Sequence, residues 1–222
     1  MGVLLHISAS TRGDASHSRR VGRALVEALR RAANFRVIER DLSREPVPHV
    51  DAPYVDAMLT PQDDRGERQI AALAFSEALI AELESADAVV IDTPMHNFTV
   101  PSVLKAWIDH VVRVGRTFRT TANGKVGLLR DRPVFVVVAC GGSVNASDVH
   151  TEADSTTSAG DHRGQTDFIT PYLHYVFATI GLTDVRTLRL EGLRRSGEDR
   201  AQADRFSAEW IAGQAGRFAR SR

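Results

Sequence analysis

Three stretches of this 222-residue chain carry side chains suited to holding a small polar or flat molecule, and each follows an apolar run. The first spans Ser8 to Ser18, the second Thr93 to Lys105, and the third Ala139-Cys140-Gly141-Gly142. In the first, the hydroxyls of Ser10, Ser16 and Ser18 can surround a phosphate together with backbone N–H groups. A helix N-terminus behind them adds favourable partial charge. Ordinary helix capping by Ser16 or Ser18 explains the same residues, and the pattern alone leaves both open. In the second stretch, Pro94 is expected to stop a strand and Pro101 to occupy a first helical position. Between them Asn97 either touches a ligand or bonds its own backbone in a turn, and Phe98 is either a flat wall or core packing. His96 can stack on or hydrogen-bond to a ligand and titrate near neutrality, or simply face solvent. In the third stretch, Gly141 and Gly142 let the backbone come close to a ligand edge and offer N–H donors.

Other chemistries find less support. Cys140 has no recognisable partner base, and a buried cysteine is usually a small hydrophobe. The eight histidines show no H-E-x-x-H or comparable spacing, so no metal site is expected. The chain contains neither G-x-G-x-x-G nor a P-loop pattern, which argues against a dinucleotide-binding Rossmann site or an ATPase.

The elements that must position these stretches alternate strand and helix. Val3–Ile7, Phe35–Asp41, Ala88–Asp92, Pro133–Val138 and Thr183–Leu190 read as strands. Helical spacing covers Val21 to Leu29, Gln69 to Leu83, the segment after Pro101 through Val112, and the segment through Ile180. A final helix is expected from a Ser196 cap to near Phe218. This alternation predicts an α/β fold with a parallel sheet covered on both faces. Asn123-Gly124 predicts a hairpin between Arg116–Thr120 and Val126–Leu129. Glu45 and the following residues to about 62 read as a long irregular segment, and Ser143 to Gln165 as a long mobile loop. No repeat or linker divides the chain, so one domain over 1–222 is expected.

Lys+Arg and Asp+Glu are both 28, giving zero formal charge and no overall pull towards nucleic acid or an anionic membrane. One cysteine excludes an internal disulfide and fits a reducing compartment. The N-terminus enters a strand directly, and no apolar run approaches membrane-spanning length. A cytoplasmic location is expected.

Pro94-Met95-His96-Asn97-Phe98, followed by Leu104-Lys105 and Gly115-Arg116-Thr117-Phe118-Arg119, resembles the FMN-dependent NADH:quinone oxidoreductases, also called azoreductases. The likeness runs from the first strand to the last helix. It implies a flavodoxin-like, doubly wound, five-stranded parallel sheet with helices on both faces. It implies FMN, with the phosphate near Ser10, Ser16, His17 and Ser18. The ring would then lie against Pro94, Met95, His96, Asn97 and Phe98, and against Ala139, Cys140, Gly141 and Gly142. NADH or NADPH would reduce the flavin, which would pass two electrons to a quinone or azo acceptor by a ping-pong mechanism. No side chain need be catalytic, since flavin N5 carries the hydride. The hairpin with Phe118 and Thr120 would meet substrate, the 45–62 segment would cross a homodimer interface, and 166–180 would lie at the partner's active site. The chain departs from the family at His96 and Thr120, where tyrosines are usual, and at Ala139-Cys140, where the family has Ser-Arg. A flavodoxin-type electron carrier or flavin sensor is the alternative. The long 143–165 loop and the hairpin, which the resemblance hangs over the ring, favour turnover over it, because a carrier needs its flavin edge open. The acyl-carrier-protein phosphodiesterase label once attached to this family finds no nucleophile–base pair or metal motif here.

Overall fold

The computed structural model describes residues 1–145, 164–193 and 197–220. In chain order, β1 is Gly2–Ser8, α1 His17–Ala32, β2 Phe35–Asp41, α2 Ala52–Leu59, α3 Glu67–Ser85, β3 Ala88–Pro94 and α4 Ser102–Val111. The antiparallel pair β4 (Phe118–Thr121) and β5 (Gly124–Gly127) comes next, then β6 (Val134–Ala139). Two short strands, β7 (Val144–Asn145) and β8 (Gln165–Thr166), pair in parallel before α5 (Ile169–Thr179), β9 (Val185–Leu190) and α6 (Gly197–Arg220).

Five strands form one all-parallel sheet in the order β2-β1-β3-β6-β9, as the sequence predicts. The three inner strands β1, β3 and β6 bury both faces, so their apolar runs are nearly continuous, while the edge strands β2 and β9 are only partly buried. Leu5, Ile7, Val89, Ile91, Val136 and Val138 face a core completed by Leu79 and Leu83 of α3, Trp107 of α4 and Phe177 of α5. Their neighbours Leu4, Val90 and Phe135 face the opposite core, against Leu25 and Leu29 of α1 and Phe218 of α6. Fully burying one such side chain stabilises by about 1.5–3 kcal/mol, so β6, apolar on both faces beside the central strand β3, contributes heavily to the sheet.

Several expectations shift. The 45–62 segment is not irregular throughout, because α2 occupies 52–59. Asp51 accepts a hydrogen bond from the Tyr54 N–H at its start, and only Tyr54 and Ala57 are buried, too few for a visible periodicity. Pro94 is the last residue of β3, opposite Ala139, and the Met95 N–H then donates to the Ala139 carbonyl. Its missing donor costs nothing there, because β1 has already ended at Ser8 opposite Asp92. Pro101 is the N-cap of α4, one residue before the position predicted. The two ends of the 143–165 stretch pair as β7 and β8; residues 146–163, and Ser196 with its expected cap, lie outside the described residues.

Among the described residues, no helix is long and apolar enough to cross a membrane. None of their His, Cys, Asp and Glu side chains gather into a group of three or more able to hold a metal ion.

Candidate functional site

In an open parallel sheet, ligands bind where the strand order reverses, outside the carboxyl ends of the strands. Here that point lies between β1 and β3, with β6 beyond. A cavity of about 590 Å³ opens there, lined by Ser10, Arg12, Ser16 and His17 after β1, Pro94, Met95 and His96 after β3, and Ala139, Cys140 and Gly141 after β6, with Leu193. A second cavity of about 460 Å³ shares Met95 and Gly141 with it and adds Asn97, Phe98, Gly142 and Gln165. The structure thus brings together most of the residues singled out from the three stretches.

Ser16 caps α1, its hydroxyl accepting from the Arg19 N–H at 3.3 Å, and lies 3.1 Å from the Ser18 hydroxyl. Capping and cavity lining are therefore not alternatives for Ser16. Ser18 is fully buried and lines neither cavity. Arg12, which the sequence did not single out, lines the first cavity and makes no side-chain hydrogen bond or ion pair among the described residues. One cation, serine hydroxyls and a helix N-terminus suit a dianionic phosphate.

The loop is braced from below. The buried Arg19 guanidinium donates to the Ser10 carbonyl at 2.9 Å, to both Asp41 carboxylate oxygens and to the Ser43 hydroxyl. Hydrogen bonding from Arg19 holds the Asp41 carboxyl well below the usual carboxylate range. Beneath the ends of β1 and β3, His6 bonds Asp92 through Nε2 and Glu39 through Nδ1, each at 2.7 Å, and Ser8 donates to Asp92 at 2.7 Å. Burial alone would lower the His6 pKa, but the Asp92 and then the Glu39 hydrogen bonds outweigh it and raise it to about 9. His6 is therefore an imidazolium at neutral pH.

The second wall is a four-residue reversal. His96 and Thr99 exchange backbone hydrogen bonds of 2.9 and 3.0 Å across Asn97 and Phe98, whose φ angles are +46° and +71°. Positive φ at both central positions is what a type I′ turn requires. Among the described residues these two are the non-glycine positions with positive φ. Asn97 is thus a turn residue and a cavity residue at once, and Phe98, about half exposed at 52%, is not core packing.

Burial, then the charges of Glu191 and Asp167, pushes the Cys140 thiol up to about 12, so it stays protonated and unreactive at neutral pH. Phe118 is buried under the Lys125 ammonium, 5.2 Å from its ring centre, while Thr120 is exposed. Neither lines either cavity. Sequence reasoning also passed over Leu193 and Gln165, which no motif marks.

Sheet order and site position together define a flavodoxin-like protein, and that fold family matches residues 3–212. The chain is 52% identical over 200 residues, 90% of each chain, to FMN-dependent NADH:quinone oxidoreductase 2 of Cupriavidus pinatubonensis. It is 43% identical over 194 residues to FMN-dependent NADH:quinone oxidoreductase 4 of Pseudomonas fluorescens, covering 87% of this chain and 85% of that one. An azoreductase structure from Bacillus anthracis superposes with a TM-score of 0.80 over 98% of this chain and all of the other, at 24% identity, a likeness of fold. The chain belongs to the flavodoxin-like FMN-dependent NADH:quinone oxidoreductases.

Proposed function

We propose that the protein binds FMN in the double cavity and uses it to move two electrons from NADH to quinones, and to azo compounds as further acceptors. The observation that carries this is the meeting of the three loops, with an Arg12- and serine-lined cavity at one end and one lined by Asn97, Phe98 and Gly142 at the other. The phosphate fits the first by charge, among Ser10, Arg12, Ser16 and His17. Ser18 acts from behind, through its contact with Ser16. The ring fits against Pro94, Met95, His96, Asn97 and Phe98 on one side, and Ala139, Cys140, Gly141 and Gly142 on the other. FMN would supply hydride acceptance and donation. The protein orients donor and acceptor in turn against the ring, which implies ping-pong kinetics. NADH is the donor in the names of the relatives, and NADPH is the other donor this reading admits.

The chain works as one domain over 1–222, in the cytoplasm and as a homodimer, with no nucleic acid or membrane partner. Phe118 and Thr120 line neither cavity, so a part for them in acceptor binding requires the partner subunit or a movement of the hairpin. An isolated monomer with full activity would remove the homodimer from this proposal.

The test is an absorption spectrum of the purified protein, then anaerobic addition of NADH and of benzoquinone. A flavin spectrum that bleaches with NADH and recovers with quinone is expected. A protein that cannot be reconstituted with FMN overturns the proposal. One that binds FMN but does not react with NADH favours an electron carrier.

A further inference from the structure

Gln165 lies opposite the strained turn in the second cavity, and its side-chain amide has no hydrogen-bond partner among the described residues. A half-buried carboxamide that lines a cavity keeps its donors and acceptor free to meet what enters it. The position is built. The Gln165 N–H donates to the Ser143 carbonyl at 2.8 Å, and Gln165 stands in register with Val144 across β7 and β8. The Val144 N–H is held at 3.0 Å by Glu191, and the Gly142 carbonyl accepts from the Gly192 N–H at 3.1 Å. Two residues on, buried Asp167 accepts from Arg189 of β9 at 2.7 Å, and Arg189 also grips Glu191. Both flanks of Gln165 are thereby fastened to the same end of β9.

The amide end of Gln165 lies beside Gly142 at the cavity wall. A Cβ at residue 142 would come within 2.7 Å of Gln165 Nε2, closer than real contacts allow. The carboxamide therefore lies against the Gly142 backbone, and a side chain at 142 would displace its flexible end from that place.

We infer that Gln165 is a cofactor-tuning residue, whose carboxamide N–H donates to the polar edge of the flavin ring beside Gly141 and Gly142. This rests on the FMN reading of the double cavity. Reduction puts negative charge on that edge, and a fixed donor stabilises the reduced form over the oxidised one. The consequence is a more positive midpoint potential than the scaffold would otherwise give.

The experiment measures the midpoint potential of bound FMN, by anaerobic equilibration with reference dyes, in the wild type and in Gln165→Leu, Gln165→Glu and Gln165→Asn. FMN dissociation constants and melting temperatures are measured alongside. The leucine variant is expected to retain FMN with a potential shifted negative, the glutamate variant to shift further, and the asparagine variant to recover part of the wild-type value. A role confined to packing on Gly142 would lower the melting temperature and leave all four potentials equal, and that outcome overturns the inference. So does a positive shift in the leucine variant, which would mean that the amide oxygen faces the ring. If the leucine variant does not fold, the glutamate and asparagine variants carry the same comparison. Failure of the wild type to bind FMN at all overturns the proposed function itself, and is read before any variant is made.

Discussion

The chain reverses direction tightly at His96–Thr99 and again at Thr121–Gly124, and it makes opposite choices at the two places. At the second, the left-handed position is filled by Gly124 at φ +110°, with Ala122 and Asn123 in ordinary conformations and the Thr121 hydroxyl bonded to the Gly124 carbonyl at 2.8 Å. At the first, the left-handed positions are given to asparagine and phenylalanine. A bulky residue in that region costs about 1–3 kcal/mol and persists only when the surroundings over-determine it. The difference teaches where this protein accepts strain: the unstrained turn closes a hairpin away from both cavities, and the strained one holds Asn97 and Phe98 at the cavity wall.

The sharpest way to break the comparison is to remove what holds the strained turn in place. His6→Leu would leave Asp92 buried without its cation, at the end of the strand from which that turn springs, and should cost about 3–5 kcal/mol in chemical denaturation. The same node predicts a pH dependence. The His6 pKa is raised in the folded protein from 6.5 to about 9, so its contribution is complete below 6.5 and is lost as pH rises through 9. Denaturation midpoints measured from pH 6 to 10 should fall over that window in the wild type, and the His6→Leu variant should lack this component.

Gly124→Val should destabilise by about 1–2 kcal/mol, since a β-branched residue is forced into the left-handed region, and it should leave flavin affinity unchanged. Phe98→Gly should do the reverse. Relief of strain, less the extra unfolded-state entropy of glycine, should stabilise the apoprotein by about 1 kcal/mol. Quinone turnover with NADH should meanwhile drop roughly tenfold or more, because the cavity wall is no longer fixed. An apoprotein destabilised by Phe98→Gly would show that the turn is not strained. The smallest effect is expected at Thr120: replacement by alanine should change stability by less than about 0.5 kcal/mol, as for exposed positions generally.

The sheet was legible because both-sided burial writes itself as apolar runs, and β6 is the plainest case. The three cavity-lining stretches were legible as polar or flat residues placed after such runs. The assignment of FMN to them came from resemblance. What stayed hidden shares a physical cause. α2 buries only two side chains, so its eight residues carry no periodicity. The His6–Asp92 pair joins residues 86 apart in the chain, and each residue alone resembles an ordinary polar interruption. Asn97-Phe98 does not look like a type I′ turn because Phe98 contradicts the local preference that would announce one. Arg12 and Gln165 belong to no motif, and only the fold reveals that neither has a partner for its polar head among the described residues.

The walls of the double cavity come from residues 10–17, 94–98, 139–142, 165 and 193, so no short fragment of the chain contains the site. During synthesis β1 can pair with β2 early, but the cavity must wait for β3 and β6, and its last walls follow later still, so the cofactor can be loaded only onto a nearly finished chain. A ligand that recognises only the finished form acts on the folding equilibrium by mass action, contributing about 2.7 kcal/mol at a hundredfold excess over its dissociation constant. Riboflavin status would in this way set how much of the protein survives to work, as well as how much of it is active.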